Sequence, residues 1–459
     1  MHSDPPPHPT MTALSCRRTL ASWLVCALLG PLAACGGSGP EGGEERPATG
    51  DGASRVAASA TAPTASGGIN VAEHRQAPYV VLVSFDGFRW DYLDRYPTPA
   101  FQRVARNGVR AERLIPTFPT KTFPTHYSVA TGMYADQHGL VGNRFWDPER
   151  QEGYSMYDRD QVEDGGWYGG EPIWVTAETQ GMVAASYFFV GSEADVQQVR
   201  PTFWNRYDGS VPNGARVDQV LEWLELPPQE RPHMITLYFS TVDDAGHDYG
   251  PDAPETEEAV VEVDAALGRL LDGLEALPHG DEVYLVLTSD HGMAWADPDR
   301  AHPLDMALLP GVRWAEGGPY ASLFVEEGGP ERAARVRDSL EALVPESEFW
   351  LREEVPERFH YSDDPRVGDI VGLMEVGATV VRPEGVPAEA YWTHGWDNRA
   401  MEMGAIFLAQ GPGIEPGRRL EAFESVHIYP WMARVLGLEP HAAADGRLEV
   451  LGPHLGTGR

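Results

Sequence analysis

The stretch from Tyr79 to Phe85, YVVLVSF, is a continuous valine-rich apolar run that stops at Asp86-Gly87. A strand with one wet face alternates apolar and polar residues. An unbroken run instead marks a strand buried on both faces, as in a parallel sheet covered by helices. The rest of the chain repeats that grammar. Helices are expected over 99–108, 173–179, 217–226 and 255–277, the last with apolar residues three and four apart. Strands are expected over 182–190, 234–239, 282–287 and 405–409, and a closing helix over 427–436. Alternating strands and helices predict an α/β fold with a mostly parallel central sheet. Residues 301–389 break the rhythm with Gly and Pro, a helix near 332–343 and strands at 320–325 and 370–374. This stretch reads as an inserted α+β cap subdomain.

The N-terminus reads differently. Arg17-Arg18 and the apolar run 20–32 have the layout of an export signal, too short for a membrane span. The run ends in Leu32-Ala33-Ala34-Cys35, which resembles a bacterial lipobox, so residues 1–34 are expected to be a lipoprotein signal peptide and Cys35 the lipidated residue. Residues 35–76, rich in Gly, Ala, Ser and Glu, then form a flexible tether, and 77–459 the catalytic domain. The expected location is the cell envelope, outside the cytoplasm and anchored by lipid. Cys16, Cys26 and Cys35 are the only cysteines, so the exported body has no disulfide, thiolate nucleophile or thiolate metal ligand.

Acidic residues outnumber basic ones 69 to 35, for a formal charge of −34. A nucleic-acid-binding surface is not expected from such a balance. The same charge repels anionic substrates, so a site for phosphates has to offset it locally, as divalent cations would.

Chemistry concentrates at predicted strand ends. Asp86 closes the first strand and Asp290-His291 another. Asp243 and His247 follow a third, spaced so that one helical or turn segment points both inward. His394 opens the loop HGWDN before the last strand. Singly, each is an ordinary cap or loop residue; the ordered set is what points to metal. Its oxygen and nitrogen donors suit zinc, and also manganese or iron. Between them lies Pro116 to Asn143, PTFPTKTFPTHYSVATGMYADQHGLVGN, expected to be a proline-punctuated loop that continues as helix from Ser128. It holds Thr122, beside Lys121, the chain's only lysine.

Six stretches, VSFDGFRWDYL, FPTKTFPTHYSVATGMYADQHGLVGN, YDGSVPNGARVDQVLEWL, DDAGHDYGP, TSDHGM and HGWDN, resemble the nucleotide pyrophosphatase/phosphodiesterase family of the alkaline phosphatase superfamily. The resemblance runs from about Tyr79 to Leu436. It implies two zinc ions, one held by Asp243, His247 and His394, the other by Asp86, Asp290, His291 and the Thr122 hydroxyl. It implies that Thr122 is the nucleophile and that Asn143 hydrogen-bonds a phosphate oxygen. Phe123 and Tyr207 would stack a nucleotide base, with Tyr238 in the same pocket. The implied activity is hydrolysis of nucleotide pyrophosphates and phosphodiesters to nucleoside 5′-monophosphates. The alternatives are a diesterase for lipid or other non-nucleotide substrates, and a phosphomonoesterase or phosphonate hydrolase of the same superfamily. A lipid-anchored binding protein without turnover is the reading from another class. One departure stands out: Thr125 replaces the asparagine common in Lys-Thr-Phe-Pro-Asn-His. His126 and His138 are read as structural rather than as ligands.

Overall fold

The computed structural model describes residues 67–456. The signal segment, Cys35 and most of the predicted tether lie outside the described residues. In chain order the strands used below are β1 (Tyr79–Phe85), β2 (Val109–Ala111), β3 (Ala184–Tyr187), β4 (Phe203–Asn205), β5 (Met234–Phe239), β6 (Val283–Thr288), β7 (Val312–Glu316), β8 (Tyr320–Val325), β9 (Ser347–Leu351), β10 (Ile370–Met374), β11 (Phe407–Gln410) and β12 (Arg418–Leu420). The helices are α1 (Pro99–Asn107), α2 (Thr122–Thr131), α3 (Ile173–Thr179), α4 (Asn213–Leu224), α5 (Thr241–Tyr249), α6 (Pro254–Ala276), α7 (Gly329–Leu343) and α8 (Ile428–Leu436).

Eight strands form the central sheet in the order β12-β2-β11-β6-β1-β5-β3-β4. Only β11 runs against the others, pairing antiparallel with β6 and β2. β1 lies at the heart of the sheet, parallel to β5 on one side and β6 on the other, and all seven of its residues are buried. Its alternate side chains enter two different cores. Val80 and Leu82 pack with α2, α3 and α8 through Val129, Trp174 and Trp431. Tyr79, Val81, Val83 and Phe85 pack with α1, α4 and α6 through Phe101, Val220 and Leu267. Each fully buried aliphatic or aromatic side chain contributes about 1.5–3 kcal/mol. That is why the run in β1 tolerates no polar alternation.

Differences from the sequence expectation have local causes. The strand expected over 182–190 stops at Tyr187 because Phe188 is left-handed, φ 69°. The helix expected from 217 begins four residues earlier, at Asn213, directly after the extended Pro212. The predicted tether ends sooner than expected: Asn70 is fully buried and donates to the carbonyls of Pro228 and Arg231. Within 301–389, β7, β8, β10 and β9 make a separate antiparallel sheet, with α7 packed on it around Leu323, Leu340, Phe349 and Ile370.

The largest revision concerns the loop before the chemistry. Helix α2 begins at Thr122 itself, six residues before the expected start. Lys121 is extended and ends the loop. Pro124 sits in the first turn, where a missing N–H costs nothing because no carbonyl would accept it. Gly132, φ 69°, closes the helix, its N–H donating to the Ser128 carbonyl.

Candidate active site

Three adjacent strands deliver the acidic residues. Phe85 pairs with Phe239 and Ser84 with Thr288, so β1, β5 and β6 end at one level. Asp86, Asp290 and His291 leave those ends directly. Asp243 and His247 come from α5, one turn apart and on one face. Ligand sites form at the carboxyl ends of strands in open α/β sheets. Gly87, φ 67°, makes the crowding possible, because a Cβ there would lie 2.8 Å from the Asp243 backbone.

Hydrogen bonding prepares these groups as ligands. His247 Nδ1–H donates to Trp392 O (2.8 Å), His291 Nδ1–H to Gly292 O (2.9 Å) and His394 Nδ1–H to Thr120 O (2.7 Å). Each ring is thereby fixed with its Nε2 lone pair free, the arrangement a metal-binding imidazole needs. The carboxylates are divided in the same way. Asp86 Oδ2 accepts from the Tyr238 hydroxyl (2.6 Å) and Asp290 Oδ1 from Gly87 N–H (3.1 Å). The opposite oxygens, Asp86 Oδ1 and Asp290 Oδ2, and Asp243 Oδ1 as well, are buried without any hydrogen-bond partner. Three unpartnered carboxylate oxygens in one buried cluster are costly unless a cation joins them.

The donor atoms converge in overlapping groups. Asp243, His247 and His394 bring ligand atoms within 4.8 Å of one another, and so do Asp86, Asp243 and His291. His291 Nε2 lies 2.9 Å from Asp290 Oδ2 and 3.5 Å from Asp86 Oδ1. The residues present therefore fit divalent cations. Asp86, Asp290 and His126 form a third group. His126 is nevertheless occupied: its Nδ1–H donates to Thr122 O (2.9 Å), and its Nε2 accepts from Ser84 Oγ (2.7 Å).

Burial and the neighbouring charges shift two of these acids in opposite directions. Burial, reinforced by Asp290 and Asp243, pushes Asp86 well above the usual carboxylate range. Burial acts the same way on Asp290, but His291 and His126 outweigh it and hold this group well below that range.

Thr122 stands at the N-terminus of α2, its Oγ1 3.4 Å from His291 Nε2. The Phe123 N–H, which has no partner within the helix, donates to Asn143 Oδ1 (2.9 Å). Since a backbone N–H must meet an oxygen, the orientation of the Asn143 amide is settled and its NH2 remains as a donor. Thr122, Phe123, Asn143, Tyr207 and Tyr238 line one cavity of about 610 Å³ with Asp86, Asp243, His247 and His394. Tyr207 is 38% exposed at its rim, whereas the Tyr238 hydroxyl is committed to Asp86. Thr125 does not line the cavity; its hydroxyl donates to the Lys121 carbonyl (2.6 Å). Sequence reasoning missed the helix N-terminus, and it missed Met156, Tyr157, Arg159 and Glu193 on the cavity wall. Pro124 in a first turn was the available signal for the helix; nothing local signals the wall residues.

Oxygen and nitrogen donors gathered at the carboxyl edge of a parallel sheet, around a hydroxyl on a helix N-terminus, define a hydrolase of the alkaline-phosphatase-like class. The type I phosphodiesterase / nucleotide pyrophosphatase family matches residues 80–397. Human ectonucleotide pyrophosphatase/phosphodiesterase family member 7 is 34% identical over 391 residues, 82% of this chain and 84% of the relative. Venom phosphodiesterase CdcPDE of Crotalus durissus collilineatus is 34% identical over 386 residues, 81% of this chain but 45% of the relative. Among solved structures, murine ectonucleotide pyrophosphatase/phosphodiesterase 5 has a TM-score of 0.76 at 31% identity. That structure, an inactive threonine-to-alanine variant in complex with AMP, is covered completely and spans 82% of this chain. The chain belongs to the type I phosphodiesterase / nucleotide pyrophosphatase family and is a phosphodiesterase.

Proposed function

We propose that this enzyme hydrolyses nucleotide pyrophosphates and phosphodiesters, releasing nucleoside 5′-monophosphates through a covalent intermediate on Thr122. The observation that carries the reading is the pairing of the Thr122 hydroxyl, at a helix N-terminus, with a cluster of free imidazole Nε2 atoms and unpartnered carboxylate oxygens.

In this reading Asp243, His247 and His394 hold one zinc ion and Asp86, Asp290, His291 and the Thr122 hydroxyl the other. Bound there, such ions supply Lewis-acid stabilisation of an alkoxide and of phosphoryl oxygens, and they offset the chain's acidity. Thr122 Oγ1 attacks phosphorus, the bond to the leaving oxygen breaks, and a phosphothreonine ester of the nucleoside is formed. Water then cleaves that ester, restoring the Thr122 hydroxyl and releasing the monophosphate. The Asn143 NH2 donates to a nonbridging oxygen as charge grows there. The positive end of the α2 dipole, at Thr122, favours the same anion. Phe123 and Tyr207 hold the base. The bound AMP of the murine relative and the threonine replaced in its inactive form support this assignment.

The deciding comparison sets thymidine 5′-monophosphate nitrophenyl ester against nitrophenyl phosphate. The diester is expected to be much the better substrate; a preference for the monoester would overturn the diesterase reading. We also infer that the chain is exported and lipid-anchored through Cys35, on the strength of the LAAC motif. Replacing Cys35 by Ser is expected to move the protein from the membrane to the soluble fraction, and retention at the membrane would count against it.

A further inference from the structure

Phe123 and Tyr207, the two rings given the base above, are held in unlike ways. Phe123 lies in the first turn of α2 and is buried. Tyr207 lies two residues past β4, a three-residue strand at the edge of the central sheet, and is 38% exposed. An exposed ring beyond an edge strand keeps one position only if its backbone is tied down elsewhere.

The ties come from the neighbouring segment. β3 and β4 run parallel with Tyr187 opposite Asn205, so the stretches leaving them stand side by side. Glu193 belongs to the stretch after β3 and lines the same cavity as Tyr207, though only 5% exposed. Its Oε2 accepts from the Tyr207 N–H (3.1 Å) and from the Arg159 guanidinium. Arg159, on the short helix Arg159–Glu163, also donates to Glu163 Oε1 (3.4 Å), and that oxygen accepts from Arg206 Nε (2.5 Å). Arg206 and Tyr207 are thus bound at two successive residues by carboxylates that Arg159 joins. Arg200 holds Glu193 from its backbone side, donating to its carbonyl (2.8 Å). In the same stretch Phe188, Gln197 and Gln198 have φ of 69°, 54° and 64°. Left-handed residues other than glycine persist where the surroundings impose them, and they cluster at ligand clamps. The Tyr207 ring meets Phe188 edge-on, with centres 5.2 Å apart.

We propose that Glu193, paired with Arg159, is a positioning residue for the nucleoside. By fixing the Tyr207 backbone it holds the ring that closes the cavity over the base. That hold separates nucleotide diesters from diesters that carry no base. The role rests on the nucleotide reading above and names what gives the site its selectivity for a nucleoside.

The test measures kcat/KM for thymidine 5′-monophosphate nitrophenyl ester and for methyl nitrophenyl phosphate. Both are diesters with one leaving group, so their ratio reports the hold on the nucleoside. In Glu193→Ala the nucleoside-to-methyl ratio is expected to fall about tenfold, within what one base–aromatic stack contributes. The fall should lie in KM for the nucleotide ester rather than in kcat. In a Tyr207→Ala background Glu193→Ala is expected to lower the ratio no further, because a positioning residue acts through the ring it positions. An unchanged ratio in Glu193→Ala would overturn the proposal. A full further loss in the Tyr207→Ala background overturns it equally, since Glu193 would then act on the base itself. If Glu193→Ala does not fold, Arg159→Gln decides: its ratio is expected to fall, and an unchanged ratio overturns the proposal. Wild-type enzyme with no preference for the nucleoside ester overturns the nucleotide reading and takes the positioning role with it. A clear wild-type preference that these variants leave unmoved overturns the positioning role alone.

Discussion

In the proposed mechanism Thr122 and Asn143 divide the work within one hydrogen-bonded unit, since Asn143 Oδ1 accepts from Phe123 N–H, the residue after Thr122. Removing the nucleophile should therefore stop chemistry without dismantling the site. Thr122→Ala is expected to lower turnover at least about a thousandfold. Metal content, read by elemental analysis, should stay at the wild-type value because the carboxylates and imidazoles are untouched; a fully active variant would exclude Thr122 as nucleophile. Asn143→Asp is the sharper probe of its neighbour. The aspartate still accepts from Phe123 N–H but donates nothing, so kcat should fall about 10²–10³-fold with the fold intact. A wild-type kcat in that variant would remove Asn143 from the mechanism. Thr125 shows the opposite case: the departure that clouded the motif proves to be a local bond to the Lys121 carbonyl.

At the scale of elements, the site depends on where strands and helices stop. The boundaries of β1, β5, β8 and β10 were legible because each apolar run is flanked on both sides by proline or a polar residue. The start of α2 was not. All ten of its residues are buried, among them Thr122, Thr125, His126 and Ser128, so the helix shows no amphipathic period to read. The loop after β10 offers another test. Gly395 has φ 126°, and a Cβ on it would stand 2.7 Å from Lys121 Cε and 3.0 Å from Nζ. Gly395→Ala is expected to cost about 1–3 kcal/mol through backbone strain and to reduce metal content by displacing His394. Wild-type values for both the urea midpoint and the metal content would show that the loop has slack.

The molecule as a whole links metal, protons and stability. Asp86, Asp243 and Asp290 keep unpartnered buried oxygens, so a cation bound only by the folded state stabilises it, by about 4 kcal/mol at a thousandfold excess over Kd. Chelation should abolish turnover and lower Tm by several degrees, and added zinc should restore both; an unchanged Tm would contradict the coupling. Acid acts at a distance from the site. His138 accepts from Leu140 N–H and donates to Ser128, and burial lowers it to about 3. Burial likewise lowers His233 to about 4. Both folded values lie below 6.5, so the unfolded chain binds the extra protons. Their contribution is complete above pH 6.5 and is lost as pH falls towards 4, at about 1.4 kcal/mol per pH unit for each histidine. Urea midpoints measured from pH 7 to pH 5 should decline, and more shallowly in His138→Gln; equal slopes would exclude His138 as a contributor.

The sequence by itself determined the class of sheet and the set of acidic residues and histidines that the structure brings together, because these depend on residue type and on position beside long apolar runs. Tertiary structure alone decided which nitrogen of each histidine is free and which oxygen of each aspartate lacks a partner. Those facts depend on backbone carbonyls and charges brought together from positions as much as 274 residues apart, as in the bond between His394 and Thr120. The segment around Thr122 belongs to both accounts. Its residues named the chemistry, while burial on all sides hid the helix that aims it.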